Sequence, residues 1–205
     1  MSLSFKSGGY QDPQQAEQYS RRRWTETNHA RRTNAWEVQA ISELYAATDA
    51  KTVLDFPCGN GRLTSLWEGL AEQLWSGDAS LLMLQNREEE RVAFQGDLLK
   101  MPVASQAVDL ISAIRVLHHF SDHHDRVTAY IEMARVSRRY VLVSYYDSGC
   151  LPAWRDQLLH KSRSLSYQSA VIFKKETAAA GLREVSRLWR RRFLSPQALV
   201  LLTTQ

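Results

Sequence analysis

Thr52-Val53-Leu54-Asp55-Phe56-Pro57-Cys58-Gly59-Asn60-Gly61 is the stretch from which the rest of the chain is read. A short β-rich run that stops at a glycine-rich turn reads as a buried strand feeding a loop. Residues 62–70, which follow, form a helix candidate. Glycines let the backbone turn tightly and approach a ligand with no Cβ in the way. The first turn of the following helix offers N–H groups that have no partner inside the helix. Taken alone, one Gly-x-Gly is equally an ordinary strand-to-helix turn.

Outward from this stretch the same alternation recurs. Residues 73–76 read as a strand ending at Gly77-Asp78, residues 79–90 as a helix, and Val92-Ala93-Phe94 as a strand ending near Gly96-Asp97. Residues 107–114, broken by Asp109, and residues 140–145 are near-continuous apolar runs of the kind buried on both faces of a parallel sheet. Between them, Ser121 or Asp122 can cap a helix with the apolar stripe Val127, Tyr130, Ile131 and Ala134. Arg135, Arg138 and Arg139 fall at its negative end. Residues 148–168 are less regular. Residues 169–180 read as a helix stopped at Gly181, and residues 182–189 and 198–204 as an antiparallel pair closing about Ser195-Pro196. At the start, residues 1–20 read as a flexible lead, and residues 28–47 as a helix with Trp36, Ala40, Ile41, Leu44 and Tyr45 on one face. Repeated alternation of strand and helix predicts an α/β protein, a doubly wound sheet with helices on both faces.

The length of 205 residues suits one domain, residues 1–205, with a single well-buried core. Hydrophobic residues make up 44% and charged residues 23%, close to an ordinary globular protein. No apolar run approaches the ~20 residues of a membrane helix, and residues 1–9 lack the apolar stretch of a secretion signal. Cys58 and Cys150, the two cysteines, read as free thiols of a reducing compartment. The expectation is a cytoplasmic protein without a membrane span. Arginines crowd at residues 21–23, 31–32, 187 and 190–192. Such clusters can attract phosphate, nucleic acid or an anionic surface, and are equally a solvated basic face.

Ligands of open α/β sheets bind at the carboxyl ends of the strands, where strand order reverses. Three predicted strand ends in succession carry an acid: Asp55, Asp78 and Asp97. A carboxylate at the second can accept both hydroxyls of a ribose. One at the third can accept the exocyclic amine of an adenine, with Leu98 and Leu99 beside the ring. Each alone is an ordinary loop aspartate; in order, they fit one nucleoside. Four histidines share one stretch (His118, His119, His123 and His124), but no cysteine or second-strand ligand completes a metal set, and no metal is expected.

The runs Val53-Leu54-Asp55-Phe56-Pro57-Cys58-Gly59-Asn60-Gly61-Arg62, Ser76-Gly77-Asp78-Ala79-Ser80-Leu81-Leu82-Met83-Leu84 and Phe94-Gln95-Gly96-Asp97-Leu98-Leu99-Lys100-Met101-Pro102 resemble the class I S-adenosylmethionine-dependent methyltransferases. So do Ala107-Val108-Asp109-Leu110-Ile111 and Val116-Leu117-His118-His119-Phe120. The resemblance covers about residues 50–145 and is nearest to the small-molecule branch that includes quinone-biosynthesis methyltransferases. It implies a seven-stranded, mostly parallel sheet with an antiparallel last strand. It also implies S-adenosylmethionine as cofactor and in-line methyl transfer to a small-molecule acceptor, with release of S-adenosylhomocysteine. Asp55 and the backbone of Gly59 and Gly61 would hold the methionyl part, with Phe56, Pro57, Cys58 and Ala79 among the cofactor-binding residues. Asp78 would bind the ribose, Met83 would pack near the nucleoside, and Asp97 and Leu98 would hold the adenine. Ile114 and Arg115 would line the sulfonium side. The family usually has glycine where this chain has Pro57, and proline offers no N–H.

An oxygen or nitrogen acceptor can need a base, for which His118 and His119 are candidates; either can equally cap or pack at the start of the next helix. Tyr145, Tyr146 and Trp154, with Tyr19 and Trp24, are candidate acceptor contacts, and aromatics are also ordinary core. Residues 1–47 would form an N-terminal helical cap and residues 147–168 a variable acceptor-side insert, around a small or anionic acceptor. A nicotinamide dehydrogenase is opposed by Thr64 at the third glycine position. The arginine clusters permit a nucleic-acid methyltransferase. However, Ser112-Ala113-Ile114-Arg115 stands where amino-directed enzymes resembling that branch carry Asn/Asp-Pro-Pro-aromatic, so nucleic acid is not the expected partner. A non-catalytic module with the same fold stays open.

Overall fold

Strand β1 (Thr52–Asp55) pairs in parallel with β2 (Gln73–Asp78) on one side and with β4 (Val108–Ala113) on the other, so Val53 stands between Leu74 and Leu110. The computed structural model describes residues 27–87, 93–159 and 166–204. Tyr19, Trp24 and Arg21 to Arg23 lie outside them, as does the predicted end of the helix at residues 88–90. Beyond β2 comes β3 (Ala93–Gln95); beyond β4 come β5 (Ser137–Tyr146), β7 (Gln197–Thr203) and β6 (Arg183–Trp189). The order is β3-β2-β1-β4-β5-β7-β6, and β7 runs antiparallel to both its neighbours. Strand order therefore reverses between β1 and β4, the position at which open α/β sheets form a crevice.

Period-two alternation divides the strands between two apolar clusters. Leu54, Ile111, Val141, Val143, Val200 and Leu202 face one side, under α4 (His123–Val136) and α6 (Ala170–Ala179). Val53, Leu110, Leu142, Leu199 and Leu201 face the other, under α1 (Asn28–Ala46) and α2 (Thr64–Leu70). Two shorter helices are α3 (Leu81–Gln85) and α5 (Leu151–Leu158), the second lying in the segment expected to be irregular. Side chains at the N-caps accept from the first turn: Thr27 from Ala30 N at 3.0 Å and Asp122 from His124 N at 2.8 Å.

The helix faces differ from the purely apolar stripes. In α1 the buried face is Thr33, Glu37, Ala40, Ile41 and Leu44, with Trp36 and Tyr45 half-buried. In α4 it is Arg126, Ala129, Tyr130, Met133 and Val136, and Ile131 is exposed. Both shifts have the same cause, a charged residue buried because a partner waits for it. Arg138 and Arg139 belong to β5 rather than to the helix end, and pair with Asp109 and Asp49. Asp109, the break in the apolar run of β4, accepts from Lys51 N, Thr52 N and Thr52 Oγ1 at 2.9–3.0 Å and fastens the start of β1 to β4. Partial burial raises its pKa, but hydrogen bonds from Thr52, Arg138 and Lys51 outweigh this and lower it to about 2. The clamp contributes stability above the ordinary carboxylate range, and that stability is lost as pH falls towards about 2.

Arg126 and Glu176 join α4 to α6. Nε and Nη2 of Arg126 reach the Glu176 carboxylate at 2.7–3.2 Å, and Nη1 donates to the carbonyls of Phe120 and Ser121 at 2.9 and 3.1 Å. Both residues are buried. Glu176→Ala is expected to cost about 3–5 kcal/mol, because it strands a buried guanidinium. The measurement is the urea midpoint at unchanged slope; a loss below about 1 kcal/mol would show a pair no stronger than one at the surface.

Candidate active site

The carboxyl ends of β1, β2, β3 and β4 open into one cavity, lined in part by Asp55, Phe56, Pro57, Cys58, Gly59, Asp78, Ala79, Met83, Asp97, Leu98, Ile114, Arg115 and His119. Asn60, Arg62, Leu63, Ser80, Val116 and Phe120 complete it. Gly61 is outside the lining and shapes the loop from behind, with φ of 84°.

The glycine loop is held from below. Cys58 N donates to Gly77 O at 2.8 Å, and Gly59 N donates to Asp78 Oδ2 at 2.8 Å. The other oxygen of Asp78 accepts Ser80 N at 2.8 Å, so one carboxylate fixes both the loop and the entry to α3. Gly59 has φ of 57°, a conformation L side chains rarely adopt, and a Cβ there would press on Met83 Cε at 3.3 Å. Gly77 is required by packing: a Cβ would lie 2.6 Å from the Phe56 ring, which stacks on Phe94. The Phe56–Pro57 peptide is cis.

Asp55 and Asp78 are buried acids. Burial raises the pKa of Asp55 to about 7, against partial relief from Ser112, Arg62 and Trp67. Among the described residues Asp55 Oδ1 has no well-formed hydrogen bond, and neither do the neighbouring Ser112 Oγ and Trp67 Nε1. Burial raises Asp78 as well, opposed by the N–H groups of Ser80 and Gly59. Asp97 is half-buried, and one of its oxygens accepts Leu99 N at 2.9 Å, forming its own turn beneath the buried Leu98.

Arg115 follows β4 with φ of 61°. Its N–H donates to Ser144 Oγ at 2.6 Å, and its Nε donates to Glu37 Oε1 at 2.6 Å. Glu37 is fully buried; it also faces Arg62 at 3.0 Å and accepts from Gln197 Nε2. Sequence reasoning missed Glu37, since the face read for this helix was Trp36, Ala40, Ile41, Leu44 and Tyr45. The available signal was its place at i+4 from Thr33 and i−4 from Ile41, on the buried stripe.

Arg115 also borders a second cavity of about 390 Å³, between the start of α1, the end of β5 and the β6–β7 turn. Tyr146 lines this one, with Thr27, His29, Ala30, Thr33, Arg190, Ser195, Pro196 and Gln197. Tyr145, its neighbour, points into the core: it stacks on Phe173 at 4.2 Å, and its hydroxyl accepts from Arg187 Nη1. His118 is buried outside both linings, its ring parallel to that of Tyr146 at 4.2 Å. His119 is the histidine at the first cavity. Trp154 is exposed on α5 and lines neither.

Among the described residues no group of three or more His, Cys, Asp or Glu is placed to hold a metal, and no helix is long and apolar enough to cross a membrane. Both cysteines are free and buried. Burial first, then Asp55 and Asp78, push the Cys58 thiol well above its ordinary pKa, and burial raises Cys150. Neither thiol is expected to react with iodoacetamide at pH 8 in the folded protein, and both should react in urea, as read by intact mass. Rapid labelling of folded Cys58 would show that the loop opens.

Residues 54–142 match the model of the Methyltransferase domain family. A segment of 101 residues, 48% of this chain, is 34% identical to the tRNA (carboxymethyluridine(34)-5-O)-methyltransferase ALKBH8 of Macaca fascicularis, and the match spans 15% of that protein's length. Among solved structures, the magnesium protoporphyrin IX methyltransferase (ChlM) of Synechocystis PCC 6803 with bound SAH superposes with a TM-score of 0.74 at 12% identity, over 97% of each chain. An S-adenosylmethionine-dependent methyltransferase of Clostridium acetobutylicum superposes at 0.68 and 11% identity, over 92% of this chain and 96% of that one. The sheet order and the cavity at the strand ends agree with these superpositions: the chain has the class I, Rossmann-like fold of S-adenosylmethionine-dependent methyltransferases, and its residues 54–142 match the Methyltransferase domain.

Proposed function

We propose that the protein transfers a methyl group from S-adenosylmethionine to a small-molecule acceptor and releases S-adenosylhomocysteine. The observation that carries this reading is the convergence of Asp55, Asp78 and Asp97, from three successive strand ends, on one cavity beside Gly59. The residues fit the cofactor: Asp55 Oδ1 is buried with an open valence that suits an ammonium group, and the Gly59 backbone approaches where a side chain would crowd Met83. Asp55 and the loop from Phe56 to Gly59, backed by Gly61, would take the methionyl part. Asp78 and Ala79 would take the ribose, Met83 would pack on the nucleoside, and Asp97 and Leu98 would take the adenine. Ile114 and Arg115 would border the sulfonium. When bound, the cofactor supplies a methyl group already electrophilic on sulfur, so the protein's main task is to orient the acceptor in line. His119, which lines the cavity, would receive a proton from an acceptor that carries one.

A second reading, methyl transfer to RNA, is favoured by the ALKBH8 match, since the name of that relative specifies a tRNA acceptor. Incubation with cofactor and either bulk tRNA or a low-molecular-weight extract separates the two by where labelled methyl appears.

Calorimetric titration is expected to show micromolar binding of S-adenosylmethionine and S-adenosylhomocysteine, none of NAD, and loss of both sulfur ligands in Asp78→Ala. Absence of binding to the native chain would sink the cofactor assignment. A pH series adds a second check. Asp55 is largely protonated below about pH 7, and only the charged form attracts an ammonium. Affinity should therefore rise as pH increases from 6 to 8, with proton release, and Asp55→Asn should be weak and flat across that range. Folding of the free protein takes the opposite sign: burial raises the Asp55 pKa to about 7, so its contribution to stability falls as pH rises from the ordinary carboxylate range towards about 7.

A further inference from the structure

The wall between the two cavities is positively charged. Arg115 borders both, and Arg190, in the turn between β6 and β7, borders the second alone. The buried carboxylate nearby is Glu37, already shared by Arg62 and Arg115. Among the described residues no carboxylate lies within ion-pair distance of Arg190. Arg62 and Arg115 pair with Glu37, and Arg190, without such a pair among the described residues, borders the second cavity. Arg190 is half-buried, and burial, then Arg115 and Arg191, work against its charge. Its backbone is nevertheless tied down, with N donating to Gln197 O at 3.2 Å. A cation kept in place against desolvation and repulsion has an evident use if an anion joins it.

We propose that the second cavity is the anion subsite of the acceptor: the acceptor carries a carboxylate, which takes Arg190 as its counter-ion beside the ring of Tyr146, and its reactive end reaches past Arg115, the residue common to both cavities, to the first. Naming the occupant as the methyl acceptor rests on the function proposed above; the anion site does not. One unshared guanidinium matches a singly charged, planar carboxylate, to which it can donate two parallel hydrogen bonds. A dianionic phosphate would want a second cation, and Arg115 is committed to Glu37. Tyr146 lies flat on His118, with 5° between the rings, and offers a rigid wall to an aromatic or otherwise flat body. A nucleic acid would instead meet its cations along an open surface that tracks phosphates, whereas these line a cavity of about 390 Å³, within the usual range for small ligands.

The test uses the full chain saturated with S-adenosylhomocysteine, titrated with benzoate and indole-3-acetate and with their amides. Each acid should bind about tenfold or more tightly than its amide, the scale of one charge-assisted pair. Arg190→Gln should abolish that preference without changing S-adenosylhomocysteine affinity, and Arg191→Gln, at the exposed neighbour, should keep it. The proposal is overturned if no acid binds, if the amides bind as well, or if both variants lose the preference equally. Repeating the titration without the cofactor product separates the two claims. Acid binding with no S-adenosylhomocysteine binding removes the cofactor reading and leaves the anion site, and the converse removes the site and leaves the cofactor.

Discussion

Four segments of chain meet on the carboxylate of Glu37: α1, which carries it; Arg62, just past the glycine loop; Arg115, just past β4; and Gln197, at the head of β7. Glu37 has no exposure to solvent. A buried charge without partners costs several kcal/mol, so none of the four can drift without exposing or stranding it. The contact also explains why Arg115 keeps a backbone conformation that a non-glycine residue adopts at a cost of about 1 kcal/mol or more. Helix α1 packs through Ala40, Ile41 and Leu44 on the cluster that holds Val53 and Leu110, and through Glu37 it is tied to Arg62, Arg115 and Gln197. Arg115, the residue common to both cavities, is held by that one carboxylate.

The acids at the strand ends show a related economy. Asp78 gives one oxygen to the loop after β1 and the other to the start of α3. The side chain expected to meet a ribose is the same one that shapes the loop beside it. Asp55, deeper, has an open oxygen and a raised pKa because its neighbours do not fully replace water. A parallel sheet with apolar clusters on both faces leaves polar chemistry room mainly at its rim, and in this protein the two most buried acids of the site stand at the rim where strand order reverses.

Much of the architecture was legible from residues close together in sequence. Strands β1, β4 and β5 announced themselves as apolar runs, the cap of α4 as Ser121 or Asp122, of which the structure uses Asp122, the start of α6 near Ser169, and the antiparallel closure as two runs about Ser195-Pro196. The glycine loop and the three acids were visible for the same reason. What hydrophobicity could not supply was the buried charge: Glu37 and Arg126 both lie on the inner faces of their helices, where an apolar stripe rejects them. The aromatics after β5 show a second limit. Tyr145 and Tyr146 are adjacent and chemically alike, but a strand turns one into the core and the other to the cavity.

By itself, then, the sequence determined the order of strands and helices, the tight loop at Gly59 and the acids at three strand ends. Steric limits on φ and the periods of helix and strand act over a few residues, and so are written in a few residues. Only the tertiary structure decided which charges are paired, which histidine of His118 and His119 reaches the cavity, and that a second cavity opens beyond Arg115. Those outcomes depend on groups brought together from far apart, Glu37 and Gln197 being 160 residues distant. Desolvation makes a charge seek whatever partner the fold delivers, and no local pattern records which one that will be.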